Sequence, residues 1–135
     1  EIARHYKAIK SPVPGFGHHL HKPVDPRAYK LLDLGRAEKD LKGDRIRALE
    51  TLSKAVDELA GRPITINATG AVAALLGEIE VPTAIMRGFA VISRAAGLVA
   101  HIVEEQKDPS GRFIWDTIEH AIPYVSPSAA AAKEA

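Results

Sequence analysis

Apolar residues return at spacings of three and four through most of this chain. The clearest run lies between Arg45 and Ala60, where Ile46, Leu49, Leu52, Val56 and Leu59 share one helical face and Gly61 stands where a C-terminal cap belongs. Upstream, Asp25 can cap a helix whose first position is Pro26, with Leu31, Leu32 and Leu34 turned inward. The stretch "ITINATG" has a brief extended pattern, after which Asn67 or Thr69 can cap "AVAALLGEIE", a helix predicted to end at Val81 before Pro82. From Pro82 to about Glu105 the chain is apolar around most of a helical circumference, with small residues at Ala90, Ala95, Ala96, Gly97 and Ala100, which predicts a buried helix. After "QKDPSGR", the piece "FIWDTIEHAIPY" reads as a short amphipathic helix. No internal repeat and no long alternating pattern occurs, so the fold class is all-α.

Composition adds limits to this outline. The 135 residues, 46% hydrophobic and 26% charged, suit one folded domain, expected over residues 1–124. The tail from 125 to 135, with "SPSAAAAKEA", has no large apolar side chain to bury after Val125 and is expected to be disordered. Eighteen Lys and Arg against seventeen Asp and Glu leave a formal charge of +1, which gives no reason to expect nucleic acid or anionic lipid as partner. The absence of cysteine removes disulfides, thiolate nucleophiles and Cys-type zinc sites, and fits a reducing compartment. No apolar run is read as reaching the roughly 18 residues of a membrane span, and the start "EIARHYKAIK" lacks a signal-peptide core, so the expected location is cytoplasmic. The chain has no initiator Met and opens in mid-helix, as a portion of a larger protein would.

The chemistry concentrates in Pro14 to Ala28, "PGFGHHLHKPVDPRA", where three histidines, a lysine, an aspartate and an arginine lie between glycines and prolines. "HHLH" lacks the spacing of a helical metal pair and no metal is expected. "GFG" alone is neither a P-loop nor a dinucleotide fingerprint. Arg87, Arg94 and His101 recur every seven residues, close to one face of their helix with a drift of about 20° per heptad. Arg94, inside "VISRAAGLVA", must either pair with a helix carboxylate or bind a ligand, because an unpaired buried charge is strongly unfavourable. Arg87 is near enough to the helix start to be solvated, His101 suits a hydrogen-bonded core position, and Arg27, in the first turn after Asp25, reads by itself as a solvated side chain.

Taken in order, Pro-Gly-Phe-Gly-His at 14–18, Asp-Pro-Arg at 25–27, the Asn-x-x-Gly turn at 67–70 and Ser-Arg-x-x-Gly-x-x-x-His at 93–101 resemble the small domain and C-terminal portion of the citrate synthase family. Within it the chain looks most like the citryl-CoA lyase-type branch, over about Val13 to Tyr124. The resemblance implies a helical small domain that closes on a larger helical domain, C-terminal helices, a homodimer, and a cleft holding an oxaloacetate- or citrate-like dicarboxylate with an acyl-CoA. Coenzyme A would enter as the thioester substrate or product. The reaction implied makes or breaks the carbon–carbon bond between acetyl-CoA and oxaloacetate.

By motif position, His18 resembles the histidine that polarises the oxaloacetate carbonyl, and Arg27 and Arg94 resemble the arginines that clamp substrate carboxylates. Lys22 corresponds to a basic residue facing a coenzyme A phosphate, and Val13, Pro14 and Gly15 to the loop that meets the adenine through its backbone. The chain departs from the pattern at Thr69, where lyase-related members carry the aspartate general acid/base of Asn-Val-Asp-Gly; a threonine hydroxyl is no proton acceptor near neutral pH. His19 and His21 also replace common Arg and Tyr, and the family's enolate-stabilising histidine has no counterpart here. Three readings follow: the C-terminal part of such an enzyme, inactive as this chain alone; a binding relative that has lost proton transfer; or a helical interaction domain with structural arginines.

Overall fold

A computed structural model describes residues 1–124. It is all-α, with an isolated antiparallel bridge between Phe16 and Ile66 as the extended pairing among the described residues. Two compact units divide at Gly88 and Phe89. The first contains α1 (Ile2–Ala8), α2 (Pro26–Ala37), α3 (Asp44–Ala60), α4 (Ala68–Glu78), a 3-10 turn at Thr83–Ile85 and the start of α5 (Met86–Lys107); the second contains the rest of α5 and α6 (Gly111–Ala121).

In the first unit α4 packs against both α2 and α3, and α1 against α3. The core is formed by Ala3, Phe16, Ala28, Leu32, Ile46, Val56, Ile66, Ala71 and Ala74, with Leu49, Leu52 and Leu59 packed around it. Leu34 is exposed, contrary to the sequence expectation. The buried stripe of α2 is Ala28, Leu32 and Gly35, a spacing of four and three that leaves Leu34 off the face. A side chain at Gly35 would meet Leu75 Cδ2 at 2.3 Å and Ile46 Cδ1 at 2.9 Å, so the glycine permits the approach of α2 to its neighbours.

Helix ends explain the boundaries. Asp25 caps α2 as the sequence predicts, accepting from the Arg27 N–H at 3.1 Å, and Gly61 closes α3 with φ of 66°. Asn67 is the cap of α4, accepting from Gly70 N–H at 3.1 Å. That helix ends at Glu78, before the predicted Val81, because the chain turns through Glu80 at φ 59° and the Val81 N–H reaches back to the Leu76 carbonyl at 2.9 Å. The Glu78 carboxylate then takes the backbone N–H groups of Gly43, Arg45 and Ile46 at 3.0, 2.6 and 3.0 Å, satisfying the start of α3 from another helix. Its pKa lies below the ordinary carboxylate value: burial pushes it up, and these three donors outweigh the burial.

In the second unit Glu105 plays a similar part for α6, accepting from Ser110 Oγ at 2.7 Å and from Gly111 N–H at 2.8 Å. Two expectations for α5 are corrected. None of its residues is buried, Phe89, Ile92, Val99 and Ile102 included, because an apolar circumference says that a helix needs cover but not that the cover lies in the same chain. The stretch Thr83–Lys107, 25 residues long, is also long and apolar enough to cross a membrane; counting only uninterrupted apolar residues misses it, since Arg87 and Arg94 divide the run. The tail expected to be disordered lies outside the described residues.

The loop from Val13 to Gly17 is fixed to the segment that enters α4 by backbone hydrogen bonds and by the Asn67 side-chain amide, which donates to the Gly17 carbonyl at 3.0 Å. Gly17 N–H donates to the Thr65 carbonyl at 2.7 Å and Asn67 N–H to the Gly15 carbonyl at 3.0 Å. A Cβ at Gly70 would stand 2.6 Å from the Gly15 oxygen and 3.2 Å from its carbonyl carbon, and neither atom belongs to a side chain that could swing aside. Gly70→Ala should therefore destabilise the protein by about 1–3 kcal/mol, the scale of an overpacking substitution. Gly88→Ala, near the start of α5 with nothing within 4 Å of the added carbon and no left-handed φ, should cost less. Thermal denaturation of the two variants checks the order; equal melting temperatures would mean that the loop yields.

Candidate functional site

His18 follows the pinned Gly15–Gly17 segment, and the chain folds back over its ring. Its Nδ1 accepts the backbone N–H groups of Leu20 and His21, each at 3.1 Å. An atom that accepts carries no proton, so the neutral ring holds its hydrogen at Nε2. The ring lies against His19 and His21, with centroids 4.6 and 4.5 Å away. Burial lowers the His18 pKa below the ordinary imidazole value, and the charges of His21, His19 and Arg27 push it the same way, against a smaller opposite pull from Asp25. The neutral form is therefore the resting form near pH 7.

Nε2 of His18 lies 3.1 Å from Nη2 of Arg27. Guanidinium nitrogen only donates, so with the proton at Nε2 two donors face the same small space. An oxygen placed there would accept from both. Arg27 is not the freely solvated side chain expected from its position in the first turn. Its Nε and Nη2 donate to Asp25 Oδ1 and Oδ2 at 3.0 and 2.8 Å, while Nη1 has no protein partner among the described residues. Asp25 is fully buried, also accepts the Ala68 N–H at 3.1 Å, and donates its own N–H to Thr65 Oγ1 at 3.0 Å. The two-pronged bond from Arg27 holds its carboxyl far below the usual range, and it raises the arginine's own pKa.

Thus His18 and Arg27 come together, with Asp25, which sequence reading recognised only as a cap, behind them. The signal for Asp25 was present in part: its place two residues before an arginine fits an ion pair, but its burial depends on the distant Thr65 and Ala68. Lys22 lines a small cleft with Gly17, His18, Pro23, Arg62 and Thr65, which adds Arg62 as a second cation on the His18 side. Pro14 and Gly15 line a different groove, shared with Thr69, Phe16, Leu49 and Leu52. Val13 is half-buried against the core. Thr69 is the exposed second residue of α4, and the carboxylate sharing its groove is Glu80.

Arg94 belongs to the second unit, where it is exposed on α5 and makes no ion pair among the described residues; Arg87, seven residues earlier on α5, is exposed likewise. His101 is also exposed, contrary to the core position expected for it, and its Nδ1 lies 2.9 Å from a Glu104 carboxylate oxygen. Within the first unit, the residues brought together are His18 and Arg27.

The chain as a whole is similar to known proteins. A sequence model described as "Citrate synthase, C-terminal domain" matches residues 1–115. Among solved structures, citryl-CoA lyase from Hydrogenobacter thermophilus is similar, with a TM-score of 0.69 and 33% identity over 76% of this chain. The chain spans 40% of that structure's length. A comparison with curated protein sequences gives no match. A match over residues 1–115 together with the similarity to a citryl-CoA lyase means that the chain belongs to the citrate synthase family, whose C-terminal domain it carries.

Proposed function

We propose that this chain is the C-terminal, acid-gripping portion of a citryl-CoA lyase-like or citrate synthase-like enzyme that makes or cleaves the carbon–carbon bond between acetyl-CoA and oxaloacetate. One observation carries the reading: the Nε2–H of His18 and the guanidinium of Arg27 face one space, 3.1 Å apart, with the imidazole tautomer fixed by backbone donors. In cleavage, a base other than His18, Arg27 and Thr69 takes the proton of the citryl hydroxyl, the oxygen becomes the oxaloacetate carbonyl, and the bonding pair leaves to the acetyl-CoA enolate. A fixed pair of donors at that oxygen stabilises the charge that develops on it. The open Nη1 of Arg27 suits a substrate carboxylate, and Arg94 is assigned the second carboxylate. Lys22 meets a coenzyme A phosphate and Val13 to Gly15 the adenine. The enzyme acts as a cytoplasmic homodimer without a metal, and α5 is covered when the larger domain and the second subunit are in place.

A second reading is favoured by Thr69, whose hydroxyl cannot act as a base at neutral pH: a relative that binds the acid and coenzyme A without turnover. Calorimetric titration of the full-length protein with oxaloacetate, citrate and coenzyme A, with steady-state assays of citryl-CoA and of acetyl-CoA plus oxaloacetate, separates the two. Binding with turnover is the expected result, binding alone leaves the second reading, and no binding overturns both. Thr69→Asp restores a carboxylate at the turn and should raise turnover by roughly a hundredfold, the scale of one placed acid or base. Rapid turnover by wild type with no gain in the variant would place the proton on another group.

The His18 tautomer generates a pH prediction. In the unfolded chain the imidazole takes its proton near the usual value of about 6.5, and in the folded protein only at lower pH. Its contribution to stability is complete above about pH 6.5 and is lost as pH falls towards the folded pKa, because the unfolded state binds the proton first. Protonation also puts a hydrogen on Nδ1, where the Leu20 and His21 donors already point. Nitrogen-15 imidazole spectra should give the Nε2–H pattern and a midpoint below the usual value; a midpoint above it would contradict the assignment.

A further inference from the structure

An N-cap needs one side-chain oxygen, which serine, threonine or asparagine would supply as well. Asp25 does more than cap. Oδ1 takes the backbone N–H and Nε of Arg27, and Oδ2 takes Arg27 Nη2 together with the Ala68 N–H at the start of α4. Only a carboxylate offers enough acceptor sites in that shape, and burying it is tolerated because a guanidinium pairs with it. Since the guanidinium is planar, fixing Nε and Nη2 also fixes the direction of Nη1 and the separation of Nη2 from His18. The shared Oδ2 sets all of this in register with the helix turn that bears Thr69.

We infer that Asp25 is a positioning residue: without touching the acid, it selects the edge of Arg27 that the acid meets and ties that edge to the first turn of α4. The inference deepens the acid-gripping role proposed for His18 and Arg27 and rests on it. A cap alone would leave Arg27 free to swing, and acid binding would not depend on the second carboxylate oxygen.

The test is a double-mutant cycle on the full-length protein, with citrate and oxaloacetate affinities measured by calorimetry. Asp25→Asn keeps one capping oxygen but puts an NH2 group in place of the other, and should weaken acid binding by roughly tenfold, the scale of one charged hydrogen bond misplaced. In an Arg27→Ala background the same substitution should have no further effect, since its action runs through Arg27. Equal affinity in wild type and Asp25→Asn, or the same tenfold loss in both backgrounds, overturns the inference while leaving the acid-binding reading intact. Absence of acid binding in wild type overturns both. Should Asp25→Asn fail to fold, the wild-type Arg27 Nε–H resonance decides: slow exchange with water supports the fixed edge, and exchange as fast as that of the exposed Arg4 contradicts it.

Discussion

The first unit depends on a carboxylate that water does not reach. Asp25 ties the start of α2, through the Arg27 N–H, to the remote 65–68 segment, through Thr65 and Ala68, and holds the Arg27 guanidinium beside His18. Removing one partner of such a network leaves the others with an unsatisfied buried group, so the network holds together or fails together. The proposed function rests on the same geometry. A guanidinium held on one edge is a directed donor, and a directed donor beside a tautomer-locked imidazole makes a site for oxygen where either alone would be a mobile surface group.

Backbone supplies the second constraint. The approach of Gly15 to Gly70 lets the 13–17 loop lie against α4, and the bridge from Phe16 to Ile66 sets its register. The loop then faces two ways: Pro14 and Gly15 border the groove of Thr69, and Gly17 and His18 border the cleft of Lys22 and Arg62. A single rigid segment thereby presents different chemistry on its two sides, which answers why so many polar groups crowd a stretch of chain that glycine and proline keep from becoming a helix.

Much of this was legible in the residues. The Asp25–Pro26 start, the Ile46-to-Leu59 stripe ending at Gly61, and the Asn67 cap are local signals, and local hydrogen bonds realise them. The family resemblance in "PGFGH" and "DPR" led to His18 and Arg27. What was not legible depends on partners far along the chain. Asp25 needs Ala68 and Thr65, Glu78 finds its donors at Gly43 to Ile46, and Leu34 gives way to Gly35 because α2 must come close to Leu75. The burial expected of α5 failed for the same reason in reverse, since periodicity reports a need for cover and not its source.

The central claim is that His18 and Arg27 polarise one substrate oxygen, and the carbonyl stretch of bound oxaloacetate reports on that directly. With carbon-13 at the keto position, difference infrared spectra of the full-length protein should place the bound carbonyl at lower frequency than the free acid, because two donors weaken the C=O bond. His18→Ala should return it most of the way to the free value while Arg27 still holds the acid. A bound carbonyl with the frequency of free oxaloacetate, or one that His18→Ala leaves unmoved, would contradict the account.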